Sequence, residues 1–302
     1  MCDKRISFEE AKQVIREGNV RVLKKFLLNG LDPNEKDQYG NTLLSEAVSY
    51  GSDEILAELL SEGIEIDKCY NGFTLLSYAV RASNFDNVCL LIINGVDVNK
   101  CNDDGTDPLC EALQGERFEI ADFLLKSGAK YDTVERGINF LTDLSNIPVQ
   151  TMDLLVNSGL DINYQDVRSK FGTLLNWAVA KKNSDFVAML LSLGADPNMI
   201  CMDGMPALHH AVLNDASAEV VRQLIDAGAE VNAIDEYGNT PLHYLVMKNC
   251  NDNAIRVLNA LLQSGADPQK KNACGETSYQ ITSRKLANNT NARVMWTIKS
   301  YH

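Results

Sequence analysis

Histidine is scarce in this sequence, with four copies in 302 residues, at positions 209, 210, 243 and 302. Imidazole chemistry, whether general-base catalysis or zinc ligation, therefore has little to draw on. The signatures HExxH, GxGxxG and GxxxxGKS/T are absent, which leaves no metalloprotease helix, dinucleotide turn or phosphate-cradling loop. No Ser–His–Asp or Cys–His set follows from the spacing either. No apolar run approaches the roughly eighteen residues that cross a bilayer; the longest, Val88–Val96, is broken by Asn94 and Gly95. The start, Met1-Cys2-Asp3-Lys4-Arg5, runs into the mixed stretch Glu9–Leu23 and not into an apolar signal core. These absences predict a cytoplasmic chain with no membrane partner, no ordinary secretory route, no cofactor and no catalytic residue.

Closely spaced cysteines are missing too. The eight present, at 2, 69, 89, 101, 110, 201, 250 and 274, include no CxxC, so reduced, partly buried thiols are expected and not a disulfide scaffold. Cations are in deficit: 28 Lys and Arg face 41 Asp and Glu, for a net charge of −13. The deficit is concentrated. Residues 37–132 carry six basic and eighteen acidic side chains, whereas 1–36 are net +2 and 133–302 net −3. An acidic front third is unsuited to nucleic acid, whose phosphates need cations. It suits a basic protein partner, or solubility alone.

What the chain does have is a repeat. An apolar stretch closing on glycine recurs eight times, as in Phe26-Leu27-Leu28-Asn29-Gly30, Leu59-Leu60-Ser61-Glu62-Gly63 and Leu224-Ile225-Asp226-Ala227-Gly228. The closing glycines, at 30, 63, 95, 128, 159, 194, 228 and 265, are 31 to 37 residues apart. Such a period marks a stacked repeat, and glycine there fits a left-handed helix end. A short turn follows, as in Leu31-Asp32-Pro33-Asn34 and Ala195-Asp196-Pro197-Asn198, where Asp and Asn are expected to fold back on the local backbone. About ten residues on stands a second marker: Gly40-Asn41-Thr42-Leu43-Leu44, Gly72-Phe73-Thr74-Leu75-Leu76 and Gly238-Asn239-Thr240-Pro241-Leu242-His243. Glycine turns the chain, Thr caps a helix, and Pro suits the first helical position. The interval from Thr to the closing glycine houses two short helices, such as Leu43–Ser49 and Asp53–Ser61, each with one apolar face.

The pattern resembles the ankyrin repeat, most closely in Gly238–His243 and Ser264-Gly265-Ala266-Asp267. The resemblance runs from about residue 7 to about residue 282 and implies an all-α ankyrin-repeat solenoid, with stacked helix–turn–helix units and hairpin-like fingers. It divides the chain into an N-terminal capping helix pair (1–36), about seven repeats (37–269) and a C-terminal capping unit (270–302). It also assigns His243 and His209 to hydrogen bonds between neighbouring turns. Departures are visible. The capping Thr is replaced by Asp107 and Pro206, Gly172 abuts Thr173, and 133–170 is degenerate, with Pro148 interrupting the pattern. A kink is expected near Thr133–Lys170. The unit after Tyr237 gains about three residues, placed between its helices around Asn249–Asn253, and a closing helix is expected around Trp296 and Ile298.

Two clusters offer weak alternatives to a purely structural reading. Cys69, Cys101 and Cys201 stand near finger bases, with Cys69 and Cys101 in adjacent units, but no nearby His completes a metal site. Asp103-Asp104-Gly105 with Asp107 has the look of a calcium loop without its bidentate Glu. In the family, partner contacts come from residues flanking the finger turn and from those after the small Ala of the first helix. Carried over, these are Gln38, Tyr39, Asn41, Tyr50, Tyr70, Asn71, Phe73, Arg81, Asp103 and Asp104, then Met202, Asp203, Met205, Glu236, Tyr237 and Met247. Of these, Tyr70 and Phe73 are the ones most open to packing finger against finger. The implied function is a protein-binding module, monomeric when unbound: an adaptor, effector or inhibitor. The alternatives are an acidic immunity-type inhibitor of a basic toxin or nuclease, and a small-molecule or nucleotide sensor using Arg81, Lys181 and Lys248.

Overall fold

In a computed structural model of the chain, the residues described are 7–62, 64, 66–131, 147–166, 171–200, 204–248, 251–286, 294 and 297–299. They fall into two compact units, one holding 7–131 with 147–159, the other everything described from Leu160 onward.

In the first unit, helices come in pairs: α1 (Phe8–Arg16) with α2 (Val20–Leu28), α3 (Leu43–Tyr50) with α4 (Asp53–Ser61), α5 (Leu75–Arg81) with α6 (Phe85–Ile93), and α7 (Pro108–Gln114) with α8 (Phe118–Lys126). The first members α1, α3, α5 and α7 pack in sequence. The second members follow, α2 on α4 and α4 on α6, and α8 packs on α9 (Val149–Asn157). The reason is a repeated apolar quartet. Leu43, Leu44, Ala47 and Val48 are buried, as are Leu75, Leu76, Ala79 and Val80. Their spacing puts them on adjoining stripes of one helix, against the previous and the following unit. Alanine at the third position lets the neighbouring helix come close. Each fully buried leucine contributes about 1.5–3 kcal/mol.

Each inner helix starts where its cap predicts. Thr42 Oγ1 accepts from Ser45 N at 3.2 Å while Ser45 Oγ accepts from Thr42 N at 3.0 Å, and Thr74 Oγ1 accepts from Ser77 N at 3.1 Å. Asp107 serves in place of Thr, with Cys110 N donating to its carboxylate at 2.8 Å. Pro148 does not interrupt a helix but stands at the N-cap of α9.

The second unit repeats the plan with α10 (Leu174–Ala180) and α11 (Ser184–Ser192), α12 (Ala207–Leu213) and α13 (Ala218–Asp226), α14 (Pro241–Met247) and α15 (Asp252–Gln263), then α16 (Ser278–Leu286). Thr173 caps α10 despite its missing spacer, accepting from Asn176 N at 3.2 Å. Pro206 offers no side-chain cap to α12. The extra residues after Tyr237 are not in the connection, as expected from sequence, but in the helix. Only Lys248–Asn251 separate α14 from α15, and α15 has 12 residues where α11 and α13 have 9. Asn251 caps the added turn by accepting from Ala254 N at 2.7 Å, and Ala254, Val257, Leu258 and Leu261 carry its buried face. Residues 297–299 are helical and Ile298 is buried, while Trp296 lies outside the described residues. The kink expected near Thr133–Lys170 falls largely on 132–146 and 167–170, also outside them.

Among the described residues, the glycines that close the outer helices adopt the left-handed region, as at Gly95 (φ +85°) and Gly194 (φ +90°). Gly238, in a finger, is more constrained: at φ +70° an added Cβ would lie 2.8 Å from Ala273 N. Gly238→Ala is therefore expected to destabilise the second unit by about 2–4 kcal/mol, strain and clash together. Gly275→Ala, at φ +76° with nothing within 4 Å, should lose only about 1–2 kcal/mol from strain. Urea midpoints of the two variants check the difference.

Candidate functional site

Several fingers are built around one Asp or Asn, three residues before the turn glycine. In the first finger, Asp37 accepts from Tyr39 N and Asn41 N, both at 2.9 Å, and from Asn41 Nδ2 at 3.1 Å. Lys12 Nζ of α1 adds a 3.2 Å ion pair to the same buried carboxylate. Burial opposes ionisation there, but hydrogen bonds from Asn41, Lys12 and Tyr39 outweigh it and hold the Asp37 pKa down at about 2. Asp235 repeats the arrangement with Tyr237 N at 2.9 Å, Asn239 N at 2.8 Å and the Tyr244 hydroxyl. Burial first, then Asp235, pushes the Tyr244 phenol up to about 12. Asn272 takes the same role toward Cys274 N and Glu276 N, each at 3.0 Å. None of these anchors was among the contact residues read from sequence. The recurring Asp or Asn at Gly minus three is the signal that marks them.

In the second finger the hairpin is regular: β1 (Cys69–Tyr70) pairs antiparallel with β2 (Phe73–Thr74). Asn71 and Gly72 both have positive φ, at 49° and 84°, the geometry for which Asn-Gly is suited. Neighbouring fingers are tied edge to edge. Asn71 Nδ2 donates to Asn41 Oδ1 at 2.5 Å, Asp103 N to Gly72 O at 2.9 Å, and Thr74 N to Asn102 Oδ1 at 3.0 Å. In the second unit Ala273 N donates to Tyr237 O at 2.9 Å.

The turns behind the fingers divide their labour. Asp97, Asp161, Asp196 and Asp267 bond locally, each accepting from the N–H two residues on. The asparagines reach further than the sequence reading placed them. Asn99 donates to Gly128 O at 3.2 Å and accepts from Lys130 N at 2.9 Å. Asn198 does the same with Gly228 O and Glu230 N, at 2.9 and 2.8 Å. The histidines also bridge repeats: His209 Nε2 lies 3.0 Å from Asn239 O and His243 Nε2 lies 3.2 Å from Glu276 O.

On this frame the sequence-derived contact residues separate. Gln38, Tyr39, Tyr50, Asn71, Arg81, Asp103 and Asp104 are exposed in the first unit, with Asn41 and Phe73 half-buried. Tyr39 is 69% and Tyr50 66% exposed. Tyr70 is the correction: at 3% exposed it packs inside the finger layer, with the Lys36 ammonium 5.9 Å over its ring and the Tyr78 hydroxyl donating to its carbonyl at 3.1 Å, so its ring offers no face to a partner. Arg81 stacks over Phe73 at 4.4 Å and pairs with Glu111 at 3.3 Å. Arg16 likewise lies 5.4 Å over the Tyr50 ring while pairing with Glu46 at 2.5 Å. Thr106, through backbone then side chain, holds the exposed Asp104 carboxyl below its usual range. In the second unit Glu236, Tyr237 and Met247 are exposed and Met205 half-buried, while Met202 and Asp203 lie outside the described residues.

The cations that would serve an anionic ligand are already engaged. Arg81 is held by Glu111, and Lys248 by Asp215 at 2.6 Å and by the Leu213 carbonyl at 2.8 Å. Lys181 lies 6.0 Å over the Trp177 ring. Among the described residues no three His, Cys, Asp or Glu side chains converge on a metal-sized site, and no helix is long and apolar enough to cross a membrane.

Comparison with known proteins agrees with this architecture. A family model described as ankyrin repeats (3 copies) matches residues 12–101 and 175–272, more than half of the chain. An ankyrin repeat protein of Rickettsia felis is 30% identical over 92 residues, 30% of this chain and 32% of that protein. An ankyrin repeat protein of fowlpox virus is 37% identical over 60 residues, 20% of this chain and 9% of the viral protein. The similarity thus spans about a third or less of either relative's length. The crystal structure of the human ASB11 ankyrin repeat domain is similar over 85% of this chain and 98% of that one, at 20% identity and a TM-score of 0.38. Ankyrin repeats are in general protein–protein interaction modules and typically non-catalytic scaffolds. With most of its length matched by their model and its helix pairs stacked as they require, this chain belongs to the ankyrin-repeat family.

Proposed function

We propose that the finger and inner-helix face of the first unit binds a protein partner that presents lysine or arginine beside an apolar group. The chain would then act stoichiometrically, as an adaptor, effector or inhibitor. The observation that supports this most is the exposure of two large rings, Tyr39 and Tyr50, within the strongly acidic stretch 37–132. Tyrosine covers a large contact area at low entropic cost and is a preferred interface anchor. Exposed Asp103 and Asp104 add the negative field that would steer a basic partner. Free thiols at Cys69, Cys89, Cys101 and Cys274 suit a reducing, cytoplasmic setting.

The test begins with capture of partners from the native host on immobilised chain, followed by affinity measurements with the protein recovered. Tyr39→Ala and Tyr50→Ala are each expected to weaken binding about tenfold or more, the scale of an interface anchor. Their unfolding midpoints should hardly move, because both rings are exposed. Unchanged affinity in both variants would remove this face from the account.

A further inference from the structure

The finger layer of the first unit holds a pair of thiols that partner binding does not use. Cys69 opens β1, and Cys101 stands in the next finger, 32 residues on. The two main chains are tied together around this pair. Thr74, opposite Cys69 in the hairpin, donates to Asn102 Oδ1, and Asp103 N donates to Gly72 O. Cys69 Sγ lies 3.8 Å from the Cys101 carbonyl oxygen, and Cys101 Sγ turns away to Asn99 O, also at 3.8 Å. Both are free thiols; Cys101 is exposed and Cys69 half-buried. Burial first, then the neighbouring Asp103 carboxylate, pushes the Cys69 thiol above its ordinary pKa.

We propose that Cys69 and Cys101 form a reversible disulfide that locks these two fingers together. The oxidant is a low-molecular-weight disulfide such as oxidised glutathione. Exposed Cys101 attacks first as the thiolate, having lost its proton to solvent. The glutathione S–S bond breaks, one glutathione thiolate leaves and a mixed disulfide remains. Cys69 then loses its proton, attacks the Cys101 sulfur and expels the second glutathione. Two protein thiols are oxidised and one glutathione disulfide is reduced to two thiols. Bridging requires the Cys101 side chain to rotate from Asn99 O toward Cys69, a movement open to an exposed residue whose own carbonyl already lies 3.8 Å from the Cys69 sulfur. The crosslink itself does not depend on the binding proposal.

The folded full chain is treated with oxidised glutathione, remaining thiols are alkylated, and peptides are weighed. The expected product is a Cys69–Cys101 crosslinked peptide, two hydrogens lighter than its separate parts and released by dithiothreitol. Cys101→Ser should abolish it and Cys89→Ser should leave it intact. The crosslinked chain should also melt several degrees higher, since a closed loop restricts the unfolded state. Recovery of Cys101 as a stable mixed disulfide with Cys69 still alkylatable would overturn the proposal. So would a crosslink yield no greater than in the urea-unfolded chain.

Discussion

Replacing His243 by alanine is expected to destabilise the second unit by about 3–4 kcal/mol, from lost packing and lost hydrogen bonds together. The ring is fully buried. Its Nδ1 accepts the Thr240 N–H at 3.1 Å and lies 2.8 Å from the Thr240 hydroxyl, so the proton sits on Nε2, which donates to Glu276 O at 3.2 Å. Truncation leaves the Thr240 amide, at the N-cap of α14, without its partner and removes one of the two donors to the Glu276 carbonyl, the other being Asn272 N. A pH signature accompanies the loss. Burial lowers the His243 pKa below 6.5, although the Glu276 carbonyl works the other way. The unfolded chain therefore takes up a proton near pH 6.5 that the folded chain resists. Stability falls as pH drops below 6.5 and levels off only under the folded pKa. Urea midpoints at pH 7.5 and 5.5 should show this decline in the native protein and a shallower one in His243→Ala. The remaining histidines are common to both.

Asp37→Ala should cost the first unit about 3 kcal/mol, because it strips several hydrogen bonds and leaves Lys12 short of a buried partner. Part of that loss is visible as acid sensitivity. The folded pKa of about 2, against 3.8 ordinarily, corresponds to about 2 kcal/mol at neutral pH. With a depressed carboxylate the contribution is complete above pH 4 and is lost as pH falls through the folded value near 2. An acid titration of the unfolding midpoint should therefore fall less steeply between pH 4 and 2 in Asp37→Ala. The same carboxylate holds the Tyr39 amide, so this variant should also bind a partner more weakly than its stability loss alone explains.

Element positions were readable because glycine, Thr and Asp each act locally. Asp53–Ser61 is a helix as expected, and Leu43–Ser49 extends by one residue to Tyr50. A period, by contrast, counts residues without saying where an insertion goes. The added residues after Tyr237 lengthen α15 because Asn251 can cap an earlier turn and Ala254 can be buried in it. Site residues were less legible. Tyr70 and Tyr39 both precede a finger turn by a residue or two, yet one packs beneath Lys36 in the finger layer and the other stands exposed. Arg81 reads as a free cation until Glu111, 30 residues away, is brought beside it. Asp37 and Asp235 are not singled out by the sequence reading, whereas the fold makes them the anchors of their fingers.

The central claim is that the acidic, ring-bearing face of the first unit holds a basic partner. Its most direct measurement is the dissociation constant of the recovered complex between about 0.05 and 0.5 M salt, where screening of exposed charge becomes strong. It is made for the native chain and for the double variant Asp103→Lys, Asp104→Lys. The account predicts binding that weakens steeply with salt in the native chain, and binding in the variant that is weaker throughout and less salt-dependent. A constant that ignores salt and is unchanged by the charge reversal would contradict it.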